Sequence, residues 1–235
     1  SVSGIPAGCC NSPVAAGDVV LFAGGASGGD DGAKMPSFDD LLKLLDKDGD
    51  GAISREEAQN SQLKDFFDNQ DINKDGKITR DEWDTIMKFM SEGKDTALAV
   101  KAGGSGDITK THVLWRKAKG LPHVPSALAY RDQLIMVKDG GIVTAYETKS
   151  GKQVYQERAG NSGRYYASPV AANGHVYLTG LDDGTVTVLR VGADKMEVAA
   201  TNPSLGERVA ATPAIADHTL YIRTAGHLYA FAEGK

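Results

Sequence analysis

One pattern occurs four times along the chain, each time behind a serine or threonine. The segments "NSPVAAGDVVLF" from Asn11, "PSALAYRDQLIM" from Pro125, "ASPVAANGHVYL" from Ala167 and "ATPAIADHTLYI" from Ala211 align on Ser12, Ser126, Ser168 and Thr212. Each holds a short apolar strand, a polar turn and a second strand rich in β-branched and aromatic residues. The last three continue through a glycine turn into a third strand, "DGGIVTAYE", "DDGTVTVLR" and "AGHLYAFAE". Two of them add a fourth, "KQVYQER" and "KMEVAAT". A repeat of this length constrains the fold more than any other feature. A unit too small to bury both of its faces must stack on its neighbours.

The hydroxyl residues stand 114, 42 and 44 residues apart, so the first interval is anomalous. Removing the 63 residues 33–95 shortens it to 51. Residues 33–95 therefore read as an insertion into the first unit, after a strand ending near Phe22. "TALAVKA" then resumes the third strand and "THVLWRK" the fourth. The glycine-rich stretches "GGASGGDDG" and "AGGSG" read as flexible joints on either side. The expected domains are 1–32 with 96–235, and the insert 33–95. Four-stranded antiparallel units recurring every 40–50 residues are the mark of a β-propeller. The fold class is thus mostly β, a series of propeller blades with a small all-α pair inserted. The 28 glycines among 235 residues, well above the usual share of about 7%, suit so many turns. The final unit offers three strands, and nothing before Asn11 clearly supplies its fourth. About 3.75 blades are expected to form part of a larger ring, completed by a missing half or by a second copy of the chain.

The insert carries two twelve-residue loops, "DKDGDGAISREE" at 46–57 and "DINKDGKITRDE" at 71–82. Calcium takes six to eight oxygens, and such a loop supplies them from positions 1, 3, 5, 7, 9 and 12, with glycine at 6 for the sharp turn. In the first loop these are Asp46, Asp48, Asp50, the carbonyl of Ala52, Ser54 and Glu57, with Gly51 at the turn. In the second they are Asp71, Asn73, Asp75, the carbonyl of Lys77, Thr79 and Glu82, with Gly76. Ser54 and Thr79 are short enough to act through a water. The position-8 residues Ile53 and Ile78 are expected to pair as an antiparallel bridge between two EF-hands. Phe38, Leu41, Leu42 and Leu45 before the loops, and Trp83, Ile86, Met87 and Met90 after them, recur at helical spacing. Only residues 58–70 separate the loops, so the middle helices should be short, with Leu63, Phe66 and Phe67 in a shared core. Four carboxylates in the first loop against three in the second lead us to expect tighter binding in the first.

"TAYETKSGKQVY" from Thr144 is similar to the blade-locking segment of the quinoprotein-like propellers, the superfamily of pyrroloquinoline quinone dehydrogenases and their non-enzymatic relatives. Ala145, Gly151 and Lys152 match that segment, whereas Glu147, Ser150 and Tyr155 replace its Asp, Thr and Trp. The resemblance covers nearly everything outside the insert and is one of fold. It implies a bacterial protein, periplasmic or secreted, and it makes pyrroloquinoline quinone a possible cofactor. In the quinone-dependent alcohol dehydrogenases neighbouring cysteines form a disulfide against the cofactor. Cys9 and Cys10 could do the same, at a cost in strain, since adjacent Cα atoms lie closer than in most disulfides. The other reading of this pair is a loop feature without a ligand. Such enzymes also need a glutamate, asparagine and aspartate on a cofactor calcium, and an aspartate base. Asp132, Asp139, Asp182, Asp183 and Asp217 all fall in apparent turns, so no catalytic or quinone-binding residue is assigned. His112, His123, His175, His218 and His227 lack metal-ligand spacing. Arg164, Tyr165 and Tyr166 read either as a ring face or as a packed blade edge.

The formal net charge of −5 lies partly in the two loops, and no basic patch points to nucleic acid. No apolar run approaches the roughly 18–20 residues of a membrane span, and "SVSGIPAGCC" lacks the charge and apolar core of a signal peptide. The expected function is a calcium-binding propeller, non-catalytic, that docks a protein or glycan, with structural calcium in two sites. The alternatives are a quinone-dependent alcohol or sugar dehydrogenase fragment and a calcium sensor controlling a propeller ligand site.

Overall fold

Short strands, the central ones buried on both faces, build four antiparallel sheets, one for each repeat. The computed structural model describes residues 1–6, 9–25, 36–92, 95–192 and 194–232, and of residues 89–92 the backbone alone. The chain divides into two compact units, Ser1–Gly29 with Lys94–Lys235, and Asp30–Gly93. In the first unit, one sheet joins Val14–Ala16, Val19–Gly24, Thr96–Lys101 and Val113–Lys117 in that order. The second joins Leu128–Tyr130, Gln133–Lys138, Ile142–Glu147 and Gln153–Arg158. The third joins Val170–Ala172, His175–Thr179, Val186–Arg190 and Glu197–Thr201. Ala214–Ala216, Thr219–Arg223 and Leu228–Ala232 form a fourth sheet of three strands. These are propeller blades, as the repeat requires.

In the last three units both residues of the first hairpin turn have positive φ: Arg131 and Asp132, Asn173 and Gly174, Asp217 and His218. Paired positive φ is the twist that a two-residue hairpin demands, and Asn, Asp and Gly tolerate it best. In the first sheet Gly24 pairs with Thr96, and the ladder runs on to Val19 opposite Lys101. The insertion thus takes the place of a hairpin turn between two hydrogen-bonded strands. "AGGSG" is not a joint to the insert. It lies beyond Lys101 in the connection to Val113, and the Ala102 N–H donates to the Asp18 carbonyl at 2.7 Å. Of the other arm, residues 26–32 lie outside those described.

The sheets pack face on face, because each is apolar on both sides. Leu21, Ala97, Ala99 and Trp115 of the first meet Leu134, Met136 and Tyr146 of the second. Ile135, Val137, Val143 and Tyr155 on the second's other face meet Val176, Leu178 and Leu189 of the third. Val186 and Tyr177 of the third meet Ile222 and Leu220 of the fourth. A fully buried aliphatic side chain of this kind contributes about 1.5–3 kcal/mol. The fourth sheet is the exception, with Leu228 70% and Phe231 46% exposed.

The aligned hydroxyls run across the sheets as a ladder. The Ser12 N–H donates to Ser126 Oγ at 2.9 Å, the Ser126 N–H to Ser168 Oγ at 3.0 Å, and the Ser168 N–H to Thr212 Oγ1 at 3.0 Å. Each unit therefore satisfies a backbone donor of the unit before it, which explains why the aligned position is always Ser or Thr.

In the second unit the helix Phe38–Leu45 is capped by Ser37, whose hydroxyl accepts from the Asp40 N–H at 3.2 Å. Short elements follow at Arg55–Ala58, Gln62–Asp65 (a 3-10 turn) and Phe67–Gln70, before the helix Arg80–Glu92. Phe38, Leu41, Leu45, Leu63, Phe67 and Trp83 share one core, with Leu42 and Met87 packed on it. Phe66 is not part of that core but 58% exposed. It stands at the junction of the 3-10 turn and the next helix, with φ −116° and ψ 0°, so that its neighbour Phe67 turns inward and Phe66 outward. The side chain of Met90 lies outside those described.

Candidate metal centre

The two loops are held by nearly superposable hydrogen-bond networks. In the first, Asp46 accepts from the Gly49 N–H at 2.7 Å and the Gly51 N–H at 3.1 Å. Asp48 accepts from the Asp50 N–H at 3.1 Å, and Asp50 from the Ala52 N–H at 2.9 Å. In the second, Asp71 accepts from the Asp75 N–H at 3.1 Å and the Gly76 N–H at 3.0 Å. Asn73 accepts from the Asp75 N–H at 2.8 Å, and Asp75 from the Lys77 N–H at 2.9 Å. Gly51 and Gly76 take φ of +83° and +89°, a conformation costly for any residue with a Cβ.

Each position-12 glutamate is aimed by a helix cap. Ser54 caps Arg55–Ala58 and forms a reciprocal capping box with Glu57. Glu57 Oε2 accepts from the Ser54 N–H at 2.8 Å and its hydroxyl at 2.7 Å, and Oε1 from the Lys47 N–H at 2.6 Å. These donors, the Lys47 amide foremost, hold the Glu57 carboxyl down at about 2. Thr79 and Glu82 repeat the arrangement, the Thr79 N–H at 2.9 Å and its hydroxyl at 2.7 Å from Oε2. The Ile72 and Asn73 N–H groups donate to Glu82 Oε1 at 3.0 and 3.1 Å. Burial pushes the Glu82 carboxyl up, yet these donors together leave it below its ordinary value. Ile53 and Ile78 are opposite one another in a two-residue bridge and fully buried.

Carboxylate oxygens of Asp46, Asp48 and Asp50 lie within 4.8 Å of one another, the one group of this type found among the described residues. A ring of hard oxygens with backbone N–H groups behind them matches the donor chemistry that Ca²⁺ selects. The second loop offers the same positions with Asn73 in place of one acid, and Asp71 and Glu82 are buried.

The remaining sequence candidates do not assemble a site. Asp139 accepts from the Tyr165 N–H at 2.7 Å, Asp182 pairs with Arg164 at 2.5 Å, and Asp183 accepts from the Thr185 N–H at 3.0 Å. Asp132 and Asp217 are positive-φ turn residues. Tyr165 lies in the connection between the second and third sheets, buried in the cluster they share; its hydroxyl donates to the Asn161 carbonyl at 3.1 Å, and burial raises it to about 12. Cys9 and Cys10 are free thiols; Cys9 packs on the cluster of Phe22, Leu98 and Val100, and Cys10 is exposed. Sequence reading missed one group, in which Glu207 accepts from the Thr224 hydroxyl and the Gly226 N–H, both at 2.7 Å, and from His227. Only the threonine near a glycine turn hinted at it.

A family model described as outer membrane protein assembly factor BamB matches residues 106–234, more than half of the chain. An EF-hand model matches residues 38–59 and 63–87. Among solved structures, BamB from Moraxella catarrhalis is 22% identical with a TM-score of 0.45, over 58% of this chain and 39% of its own. The chain thus spans well under half of that protein. The computationally designed Ika4 protein is 13% identical with a TM-score of 0.45, over 60% of this chain and 88% of its own. Quinohemoprotein alcohol dehydrogenase from Comamonas testosteroni is 13% identical with a TM-score of 0.43, over 57% of this chain and 27% of its own. No curated protein matches the chain. No helix among the described residues is long and apolar enough to cross a membrane.

Proposed function

The chain belongs to the family of outer membrane protein assembly factor BamB, and on that premise we propose that it is a calcium-binding propeller protein with a binding or scaffold role. One structural Ca²⁺ would sit in each inserted loop. The observation that carries this reading is the convergence of Asp46, Asp48 and Asp50, in a loop joined through Ile53 and Ile78 to a second loop of the same pattern. Asp46, Asp48, Asp50, the Ala52 carbonyl and Glu57 would hold one ion, with Ser54 acting through water. Asp71, Asn73, Asp75, the Lys77 carbonyl and Glu82 would hold the other, with Thr79 in the same role. A bound Ca²⁺ supplies the positive charge that gathers these carboxylates. The chain's own part is to prearrange them by capping boxes and turn N–H groups, so that little ordering entropy remains to be lost on binding.

A scaffold role rests on the family and on the fourth sheet. Its exposed apolar residues, Leu228 and Phe231 among them, are of the kind that neighbouring blades cover elsewhere in the chain. We assign that cover to further propeller units, from a longer chain or a second copy. A protein or glycan partner would then dock on the ring, in the periplasm or outside the cell.

Calorimetric titration of the chelator-treated chain with Ca²⁺ tests the reading. Two equivalents should bind, and thermal unfolding of the helical unit should move upward by at least several degrees. Absence of uptake at millimolar calcium would refute it. Reconstitution with Ca²⁺ and pyrroloquinoline quinone, followed by dye reduction with alcohols and sugars, separates the dehydrogenase reading from this one.

A further inference from the structure

Resting on the calcium reading above, we infer that Lys77 is a tethered cation that competes with Ca²⁺ for the first loop, so that the second loop fills first. Lys77 belongs to both sites. Its carbonyl is the position-7 oxygen of the second loop, and its N–H donates to Asp75 Oδ1 at 2.9 Å. It stands opposite Ser54 in the bridge between the loops. From there its side chain crosses to the first loop, where the ammonium donates to Asp50 Oδ2. Asp50 is the position-5 ligand of that loop and one of its three converging aspartates.

Counting carboxylates favours the first loop, with Asp46, Asp48, Asp50 and Glu57 against Asp71, Asp75 and Glu82. The Lys77 ammonium removes that advantage. It cancels one charge in the first loop and occupies Asp50 Oδ2, the oxygen that the Ala52 N–H leaves free, so Ca²⁺ must displace it or share that oxygen. In the second loop the matching oxygen, Asp75 Oδ2, accepts from the neutral Asn73 amide at 2.9 Å, so no charge is cancelled there. Asp71 and Glu82 of that loop are 2% and 8% exposed, so much of their desolvation has already occurred on folding, and attraction to a cation is less screened there. In the first loop Asp48 and Asp50 are exposed to solvent. The Lys77 ammonium and the burial of Asp71 and Glu82 thus act in the same direction on the order of filling, and calcium entering the first loop releases Lys77 from the seam between the loops.

Single-loop variants of the whole chain test this, with Ca²⁺ alone as the titrant and calorimetry as the readout. Glu57→Gln leaves the second loop as the strong site, and Glu82→Gln leaves the first. The second loop should bind more tightly than the first. Adding Lys77→Met should tighten the first loop on the order of tenfold and the second loop clearly less, because there only a more distant charge is removed and the carbonyl donor is kept. Lys77→Gln, which keeps a polar head, should act in the same direction, and its effect should shrink in high salt. Lys77 is half exposed, and circular dichroism confirms that each variant is folded. Equal tightening of both loops, or none, overturns the proposal, as does a first loop already tighter in the parent. Failure of every variant to take up calcium overturns the calcium reading and this one with it, whereas uptake without a Lys77 effect overturns this one alone.

Discussion

Trp115 Nε1 donates to the Thr148 carbonyl at 2.9 Å, tying the outer strand of the first sheet to the strand end of the second. The indole lies over Gly151, and a Cβ there would approach Trp115 Cγ to 2.5 Å. Gly151 also has φ +66°, so it is required twice, once for the turn and once for the ring above it. The segment quoted for its likeness to a blade lock thus does lock, but with a tryptophan from the preceding unit on its glycine. Gly151→Ala should lower the propeller's stability by about 1–3 kcal/mol, combining backbone strain with displacement of the ring. Its second signature is spectroscopic. The chain has two tryptophans, and the emission of Trp115 should shift while that of Trp83 in the helical unit does not. An unchanged melt and spectrum would show that the ring is held elsewhere.

The hydroxyl ladder makes a different kind of prediction. Ser168→Ala removes the acceptor for the Ser126 N–H without touching the apolar faces. The cost should be about 0.5–1.5 kcal/mol, the usual net value of one hydrogen bond. Ser168→Thr should cost clearly less, because the fourth unit already uses Thr212 in the same role. Denaturant titration of the two variants distinguishes a hydrogen bond from mere packing. If the alanine variant is as stable as the parent and the threonine variant is not, the ladder is incidental.

Much of the fold was legible because it is written locally and then repeated. The β-branched and aromatic content of "HVYLT" or "VTVLR" and the spacing of the aligned hydroxyls do not depend on distant contacts, so strands and repeats could be read directly. The calcium loops were legible for a similar reason, since Asp46 to Glu57 and Asp71 to Glu82 are local in sequence. What could not be read was any relation set by a side chain reaching across elements. The charge count of the loops gave no sign that Lys77 leans on Asp50. Glu207 and His227 meet only because two connections of adjacent units come together. "AGGSG" was misread because flexible composition says nothing about which pair of strands it connects.

Phe66 and Phe67 show the same limit at its smallest scale. Composition and hydropathy treat the two alike, but the 3-10 turn Gln62–Asp65 rotates them to opposite sides. Phe67 is buried to 1% exposure beneath the Arg55 guanidinium, which lies 4.5 Å from its ring centre. Phe67→Ala should therefore cost the helical unit about 3–5 kcal/mol, enough to unfold it without calcium. Phe66→Ala should stay within about 0.5 kcal/mol of the parent, as exposed substitutions do. Circular dichroism melts of the two variants give the comparison, and equal destabilisation would mean that the turn does not separate them.

The carboxyl of Glu207 is held below its ordinary value by the Thr224 hydroxyl first, then by the Gly226 N–H, with His227 adding to the effect. A carboxyl whose folded value is depressed binds its proton more readily when unfolded. Its contribution is complete above the unfolded value, near 4.3, and fades as pH falls from there through the folded value. Glu207→Gln keeps an oxygen for Thr224 and Gly226 but carries no charge. At pH 6 the variant should melt below the parent, and the gap should narrow steadily as pH is lowered past 4. The loss should fall on the three-stranded sheet, because Thr224 and His227 belong to the turn between its second and third strands. Hydrogen exchange at Thr219–Arg223 and Leu228–Ala232 would then accelerate in the variant at pH 6 while the second sheet keeps its protection. A gap in melting temperature that stays constant from pH 6 to pH 3 would show that the charge on Glu207 does not support the turn.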